Sequence, residues 1–317
     1  MEDFGFIEDE PDMLDKYEKT GEGLVGRFIV PPLSVFDTRQ KYWQDRKRAW
    51  LEKTGDLSET RDGEYGRISS GIVNCFNGGT SNFDPVLAEI MYRWFCIEGG
   101  KILDPFGGEQ TKGVVAGELG YEYVGCEIRQ DQVDLDTEKT KQYPNVKYIC
   151  GDSTKLTKHI KERDFDMCFT SPPYYALEVY SKDDLSSLGS YEEFMAMYRT
   201  IFEQCYEMMK EDTFLVIKIG EIRNKKTGEY RSFVPDNARM FVDIGFKYYN
   251  EIILYTPAGT APIRATQGMN TRKVTKTHQN VLVFYKGDLK NIGTKYPKLD
   301  FTGIEGIMGE ENGDEDE

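Results

Sequence analysis

The amino-acid sequence predicts an α/β protein, a doubly wound and mostly parallel seven-stranded sheet of Rossmann-like type with an N-terminal extension. Three observations carry that expectation. From about Phe83 onward, short apolar runs alternate with helical-period stretches of about 10–15 residues, the pattern of strands joined by crossover helices. One run, Lys101 to Leu103, ends in DPFGG, a glycine turn leading into a helix. The last two runs, Glu251 to Tyr255 and Val281 to Tyr285, have no evident helix between them, so one should run antiparallel.

Each element follows in order. FDPVLAEIMYRWFCI, from Phe83 to Ile97, has helical spacing at Leu87, Ile90, Met91 and Phe95. After the Lys101 strand come a helix over Thr111 to Leu119, a strand over Tyr121 to Glu127 and a polar-faced helix over Gln130 to Gln142. A strand over Val146 to Cys150, a helix starting within Asp152 to Ile160 and a strand over Asp166 to Phe169 complete the first half. Ser190-Tyr-Glu-Glu193 is a capping box that opens a helix running to about Lys210. Thr213 to Ile219 is then a strand and Val234 to Ile244 a helix. The expected division is an acidic disordered tail over 1–20, an extension over 21–80, the α/β domain over 81–290 and an acidic tail over 291–317.

Composition narrows the function classes. Of the net charge of −15, −7 belongs to residues 1–18 and −6 to residues 309–317, so the body between them is nearly neutral. Acidity therefore does not exclude a polyanionic partner; the tails serve solubility or compete for a basic surface. No apolar run approaches ~18 residues, so no membrane span is expected. The N-terminus has no apolar core segment of a signal peptide. The six cysteines form no CxxC pair and read as buried reduced thiols, with no metal site. A cytosolic protein is expected, of a bacterium or a phage-infected host.

Ligands of such sheets lie beyond the carboxyl ends of the strands. There, Gly107 and Gly108 allow close backbone approach, and Glu127 closes the next strand where an acid can take ribose hydroxyls. Asp152, in ICGDS, is a further acceptor on that edge. Glu109 lies inside the glycine loop and would repel a pyrophosphate, which argues against NAD and ATP. An adenosine ligand with a cationic centre, such as S-adenosylmethionine, fits better.

The stretch TSPPYY, Thr170 to Tyr175, follows the fourth strand directly, and its prolines fix a rigid extended loop. With DPFGG, this SPPY resembles the motif pair of amino-group DNA methyltransferases, and FDPVLAE resembles the family's segment beside the methionine end of the cofactor. More loosely, VFDTRQKYWQDRKRAW with THQNVLVFYKGD looks like a phage-type branch. The resemblance covers residues 83 to about 286. It implies a methyl group moved from S-adenosylmethionine to an exocyclic amine of a base in double-stranded DNA. It implies a cofactor site of Phe83, Asp84, Asp104, Phe106, Gly107, Gly108, Glu127 and Asp152, and a catalytic set of Ser171, Pro172, Pro173 and Tyr174. Serine at the first place of the motif leans toward cytosine N4, with adenine N6 close behind. Gln110 departs from the family, which has a glycine there. The short gap between Asp152 and Ser171 leaves target recognition to follow the catalytic motif.

The chemistry agrees with those roles. The lone pair of an exocyclic amine is conjugated into its ring. Acceptors such as the Ser171 hydroxyl and the Pro172 carbonyl favour pyramidalisation and free it. Tyr174 offers a face for an extruded base. No metal is needed.

From Ile252 to Gly287 there is no acidic residue, and Arg264, Arg272, Lys273 and Lys276 are the candidate phosphate contacts, with Lys286 and His278 in the same window. Arg39, Lys41, Arg46, Lys47, Arg48 and Lys53, interleaved with Trp43 and Trp50, form a second cluster that is either a solvated helix face or a DNA contact. Arg223, Lys225, Lys226 and Arg231 surround an expected turn at Thr227-Gly228. Two rivals stay open: an RNA or small-molecule methyltransferase, and an inactive nucleic-acid-binding subunit of the same fold.

Overall fold

The computed structural model of the protein describes residues 24–55, 83–173, 190–224, 226–256, 259 and 261–296. Eight strands form one sheet: β1 (Val35–Asp37), β2 (Lys101–Asp104), β3 (Glu122–Glu127), β4 (Val146–Cys150), β5 (Phe165–Thr170), β6 (Met209–Ile219), β7 (Lys247–Tyr255) and β8 (His278–Lys286). Their spatial order is β1-β7-β8-β6-β5-β2-β3-β4. All neighbouring pairs are parallel except those that β8 makes with β6 and β7. The mostly parallel, Rossmann-like sheet is therefore as expected, and β8 is the reversed strand.

The helices are α1 (Leu24–Phe28), α2 (Lys41–Thr54), α3 (Pro85–Phe95), α4 (Thr111–Glu118), α5 (Gln130–Thr140), α6 (Leu156–His159), α7 (Tyr191–Met208), α8 (Phe233–Ile244), α9 (Ala261–Met269) and α10 (Ile292–Lys295). Capping sets several of their starts. Asp84 accepts from Val86 N, and Pro85 at the first position of α3 lacks the N–H that a helix start leaves unused. At α7 both bonds of the Ser190–Glu193 capping box form, at 3.1 and 3.2 Å.

Strand alternation feeds two cores, one on each face of the sheet. Phe169, Phe214 and Val216 join Trp43, Trp50 and the apolar side of α3 on one face. Cys168, Leu215 and Ile217 join Phe194, Phe202 and Phe241 from α7 and α8 on the other. Among the described residues, no helix is long and apolar enough to cross a membrane.

Four expectations need correction. The sheet has eight strands, not seven, because Val35–Asp37 pairs with Ile253–Tyr255 at the edge of the sheet. This run is too short to give an alternation signal. A helix, α9, occupies what reads in the sequence as an open loop between the last two strands. The stretch from Asp152 is a 3₁₀ turn, Ser153–Lys155, followed by the four residues of α6. Strand β6 also starts at Met209, directly after α7, whereas periodicity places its start at Thr213.

Strand directions position everything that follows. The carboxyl ends of β2, β3, β4, β5, β6 and β7 lie on one edge, and reversed β8 begins there. Residues 256–277 therefore leave and re-enter the sheet on the edge that holds DPFGG and SPP. Thr256 N donates to Thr277 O at 2.9 Å, closing the base of that excursion.

Candidate active site

The glycine turn after β2 is stitched to the end of β3. Gly107 N donates to Cys126 O at 2.7 Å, and Gly108 N donates to the Glu127 carboxylate at 3.2 Å. A Cβ at Gly107 would meet Cys126 O at 3.3 Å and the Tyr148 ring at 3.4 Å. Gly108 has φ of +62°, where a side chain is strained, and a Cβ there would lie 3.8 Å from Phe106 O. Glu127 also accepts from Arg129 N at 3.0 Å, so its carboxylate is fixed at the lip of this cradle. Ser153 donates to Pro105 O at 2.5 Å, which draws the loop after β4 to the same place. Asp152 is partly desolvated by burial, which favours protonation, but its bonds to Thr154 and the Lys155 ammonium outweigh that and lower its pKa.

Asp104 is fully buried beneath the cradle. One carboxylate oxygen accepts from Phe106 N at 3.0 Å and from the Thr170 hydroxyl at 2.7 Å. The other accepts from the Tyr123 hydroxyl at 2.7 Å and is paired with the buried Lys112 ammonium. Lys112 also donates to Phe106 O at 3.1 Å. The Asp104 carboxylate is thus enclosed by partners from its own fold. It links the glycine turn to Thr170, the residue before Ser171.

Ser171 and Pro173 are half-buried and Pro172 is buried. The Ser171 hydroxyl is 3.4 Å from Lys218 O, a long bond in which it donates and leaves its lone pairs as acceptors. Tyr174 and the residues after it, up to 189, lie outside the described residues.

Phe83 is buried, edge-on to Phe169 at 5.5 Å, with the Lys218 ammonium 4.6 Å from its ring centroid. Its backbone N–H donates to Glu109 at 3.0 Å. Glu109 also accepts from Thr111 N and the Thr111 hydroxyl, so this acid ties the FDP segment to the glycine turn. Asp84 is engaged behind the site, with Trp43 at 3.2 Å and Lys47 at 3.3 Å from its carboxylate. The Phe106 ring packs with Tyr198 and Phe202 of α7.

Lys112, Tyr123 and Thr170 escape a reading of the sequence, and so does the tie that Glu109 makes to Phe83. Thr170 lies inside the quoted TSPPYY, and a hydroxyl two places before a proline pair was its available signal.

The basic clusters separate. Arg264, Arg272 and Lys273 are exposed on the site edge, and Lys276 there is half-buried, which lowers its pKa against a raising effect of Glu221. Lys286 sits at the far end of β8, buried, donating to Tyr206 O and Met209 O at 2.8 and 2.7 Å. Its role is structural. Trp43 and Trp50 are fully buried, and Arg46, Lys47, Arg48 and Lys53 all pair with acids of the chain. That cluster fastens α2 to the body of the protein. Arg223 stacks on Tyr230 at 3.8 Å in the turn after β6; Lys225 lies outside the described residues.

Residues 165–313 match the family model described as DNA methylase. Over those residues the chain is similar to the DNA methylase family. S-adenosylmethionine is the cofactor of that class, and the cradle suits it: a glycine in the left-handed region that lets the backbone be approached closely, with a fixed carboxylate at its lip. The chain is also 30% identical over 110 residues to a tRNA (guanine(6)-N2)-methyltransferase of Methanocaldococcus jannaschii, covering 32% of this chain and 28% of that relative. It is 33% identical over 76 residues to a tRNA (guanine(10)-N2)-dimethyltransferase of Pyrococcus abyssi, covering 23% of each. It thus spans about a quarter of the length of these curated relatives. Among solved structures, TrmN from Thermus thermophilus superposes with a TM-score of 0.44 at 14% identity, covering 64% of this chain and 49% of that one. A methyltransferase from Pyrococcus furiosus gives 0.45 at 13% identity, covering 77% and 100%.

Proposed function

We propose that the protein methylates an exocyclic amine of a base flipped out of double-stranded DNA, with cytosine N4 the favoured target and adenine N6 the alternative. The observation that carries this reading is the Asp104–Thr170 bond. It joins the glycine cradle to the SPP loop across neighbouring strands, so a methyl donor and an acceptor amine would meet at a fixed separation. The DNA methylase match over residues 165–313 supports the same reading.

Glu127 would hold the ribose hydroxyls, with the Gly107–Gly108 backbone beside the methionine portion and Asp152 near the base. When bound, S-adenosylmethionine supplies an electrophilic methyl group on a sulfonium leaving group. Ser171 and the Pro172 carbonyl accept hydrogen bonds from the target amine and turn its lone pair toward that methyl. The proline pair keeps these acceptors in place before the substrate arrives, which is the preorganised electrostatic form of catalysis. Arg264, Arg272, Lys273 and Lys276 take the phosphates of the duplex.

Ser171→Ala is expected to lower turnover by roughly 10²–10³-fold, the scale of losing one preorganised group at a reacting centre. Cofactor affinity by calorimetry should stay unchanged; equal losses in both would assign Ser171 to folding instead. Glu127→Ala should weaken S-adenosylmethionine binding by about 1.5–3 kcal/mol, the range for hydrogen bonds to a charged group. An unaltered affinity would remove Glu127 from the cofactor site.

The tRNA methyltransferase relatives favour one second reading, an exocyclic amine of RNA. Transfer of labelled methyl to duplex DNA, transfer RNA and free nucleotides separates the two. Mass spectrometry of the nucleosides then names the modified base; label confined to RNA would overturn the DNA reading.

A further inference from the structure

Helix α9 has no buried residue and no acid, and it lies on the site edge between β7 and β8. Nine residues with none of them buried make a marginal helix in water, so a partner docked on this element would add to its stability. It and the turn after it expose three large apolar side chains: Ile263 at 59%, Met269 at 46% and Val274 at 76%. A single exposed apolar residue needs no explanation. Here, however, the three lie inside the acid-free window, and Val274 is flanked by Arg272, Lys273 and Lys276.

The turn that presents Val274 is firmly made. Thr271 N and Lys273 N both donate to Gly268 O, at 3.0 and 2.9 Å, and Arg272 N donates to Met269 O at 3.1 Å. Arg272 holds a left-handed φ of 57°. A Cβ at Gly268 would lie 2.5 Å from Lys273 O, so the backbone closes on itself where only glycine fits. The Lys273 ammonium rests against Gly228, 3.2 Å from where a Cβ would be, which braces this turn on the one after β6.

We propose that Val274 is a wedge that enters the stack of duplex DNA at the gap left by the flipped base. The inference rests on the DNA reading above. Extruding a base loses its stacking, and an apolar side chain inserted between base steps offsets part of that loss. The flanking cations would pair with the adjacent phosphates, and a turn already fixed by hydrogen bonds loses little freedom on docking. Charge complementarity thus selects the occupant, and the apolar tip selects the mode of contact.

The test is the initial rate of methyl transfer onto bacterial genomic DNA lacking N4 and N6 methylation, compared in native and heat-denatured form. Val274→Ala should slow transfer on the native duplex by about tenfold, on the scale of one lost stacking contact. On denatured strands, where no gap has to be filled, its rate should match the wild type. Val274→Leu should restore the duplex rate. Equal slowing on both forms, or no slowing on either, would overturn the wedge while leaving the DNA reading intact. A wild-type enzyme that labels transfer RNA and neither form of DNA overturns both. Activity of the wild type on denatured DNA alone also overturns the wedge, since no duplex is then opened.

Discussion

Asp104→Ala is expected to lower stability by about 3–5 kcal/mol, because it leaves the buried Lys112 ammonium without its counter-charge. The same change removes the acceptor of Phe106 N, of the Tyr123 hydroxyl and of the Thr170 hydroxyl. Urea denaturation measures the first effect. Loss of methyl transfer, in buffer where the variant is still folded, measures the second. A double variant, Asp104→Asn with Lys112→Met, tests the cause. It carries no unpaired charge and keeps a side-chain oxygen for Thr170, so it should be more stable than Asp104→Ala alone. If Asp104→Ala unfolds at the wild-type midpoint, the ion pair does not hold the turn.

Glu89→Ala should be comparably costly, about 3–5 kcal/mol by the same argument. Glu89 is fully buried in α3 and accepts from Arg46 Nε at 2.8 Å, Trp50 Nε1 at 2.7 Å and Arg93 Nε at 3.0 Å. Arg46 itself is only 4% exposed along its side chain, so the substitution strands a buried guanidinium. The expected result is release of α2, read as rapid tryptic cleavage at Arg46, Lys47 and Arg48 under conditions where the intact protein resists. Glu89→Gln, which keeps an acceptor for Trp50, should be less sensitive; indifference of Glu89→Ala to trypsin would mean that α2 is held by its tryptophans alone.

The pH dependence has a definite sign. Burial raises the pKa of Glu89, and the Arg46 and Arg93 charges more than compensate, so its folded pKa lies below the ordinary value of 4.5. Its contribution is therefore complete above that value and is withdrawn as pH falls through the lower folded pKa. Glu89→Gln, which has no carboxyl to protonate there, should lose less stability between neutral and acid pH than the wild type; an equal loss in the two, read from urea midpoints, would remove Glu89 from the acid response.

The sequence makes the parallel half of the sheet legible because each strand there is a short apolar run closed by a chemically distinctive residue. Asp104, Glu127, Asp152 and Ser171 all sit at strand ends, and all four reach the same edge. The N-terminal edge strand was not legible. Val35–Asp37 is a strand only through its pairing with β7, a contact over 200 residues away in the chain. Helix α9 escaped because none of its residues is buried, so no apolar stripe marks it. Asp104 was legible at its strand end but its partners were not: sequence spacing says which strand end an acid occupies, whereas Thr170 and Tyr123 come from other strands. For the Arg39–Lys53 cluster the sequence left two readings open. Burial of both tryptophans and the ion pairs to Asp84, Glu89 and Glu118 give it to the fold.

The bond from Thr256 N to Thr277 O has a consequence for how such a chain diversifies. It closes the neck of the excursion between β7 and β8, so whatever lies between those threonines hangs from two strands that are already paired. Loop-closure entropy rises only with the logarithm of length, and doubling the excursion adds about 0.6 kcal/mol. Insertions and deletions there are nearly neutral for the sheet, while the donor cradle and the SPP loop are left as they are. On the reading proposed above, the chemistry of transfer and the choice of target would change independently, one inherited and the other exchanged like a fitting on a fixed mount.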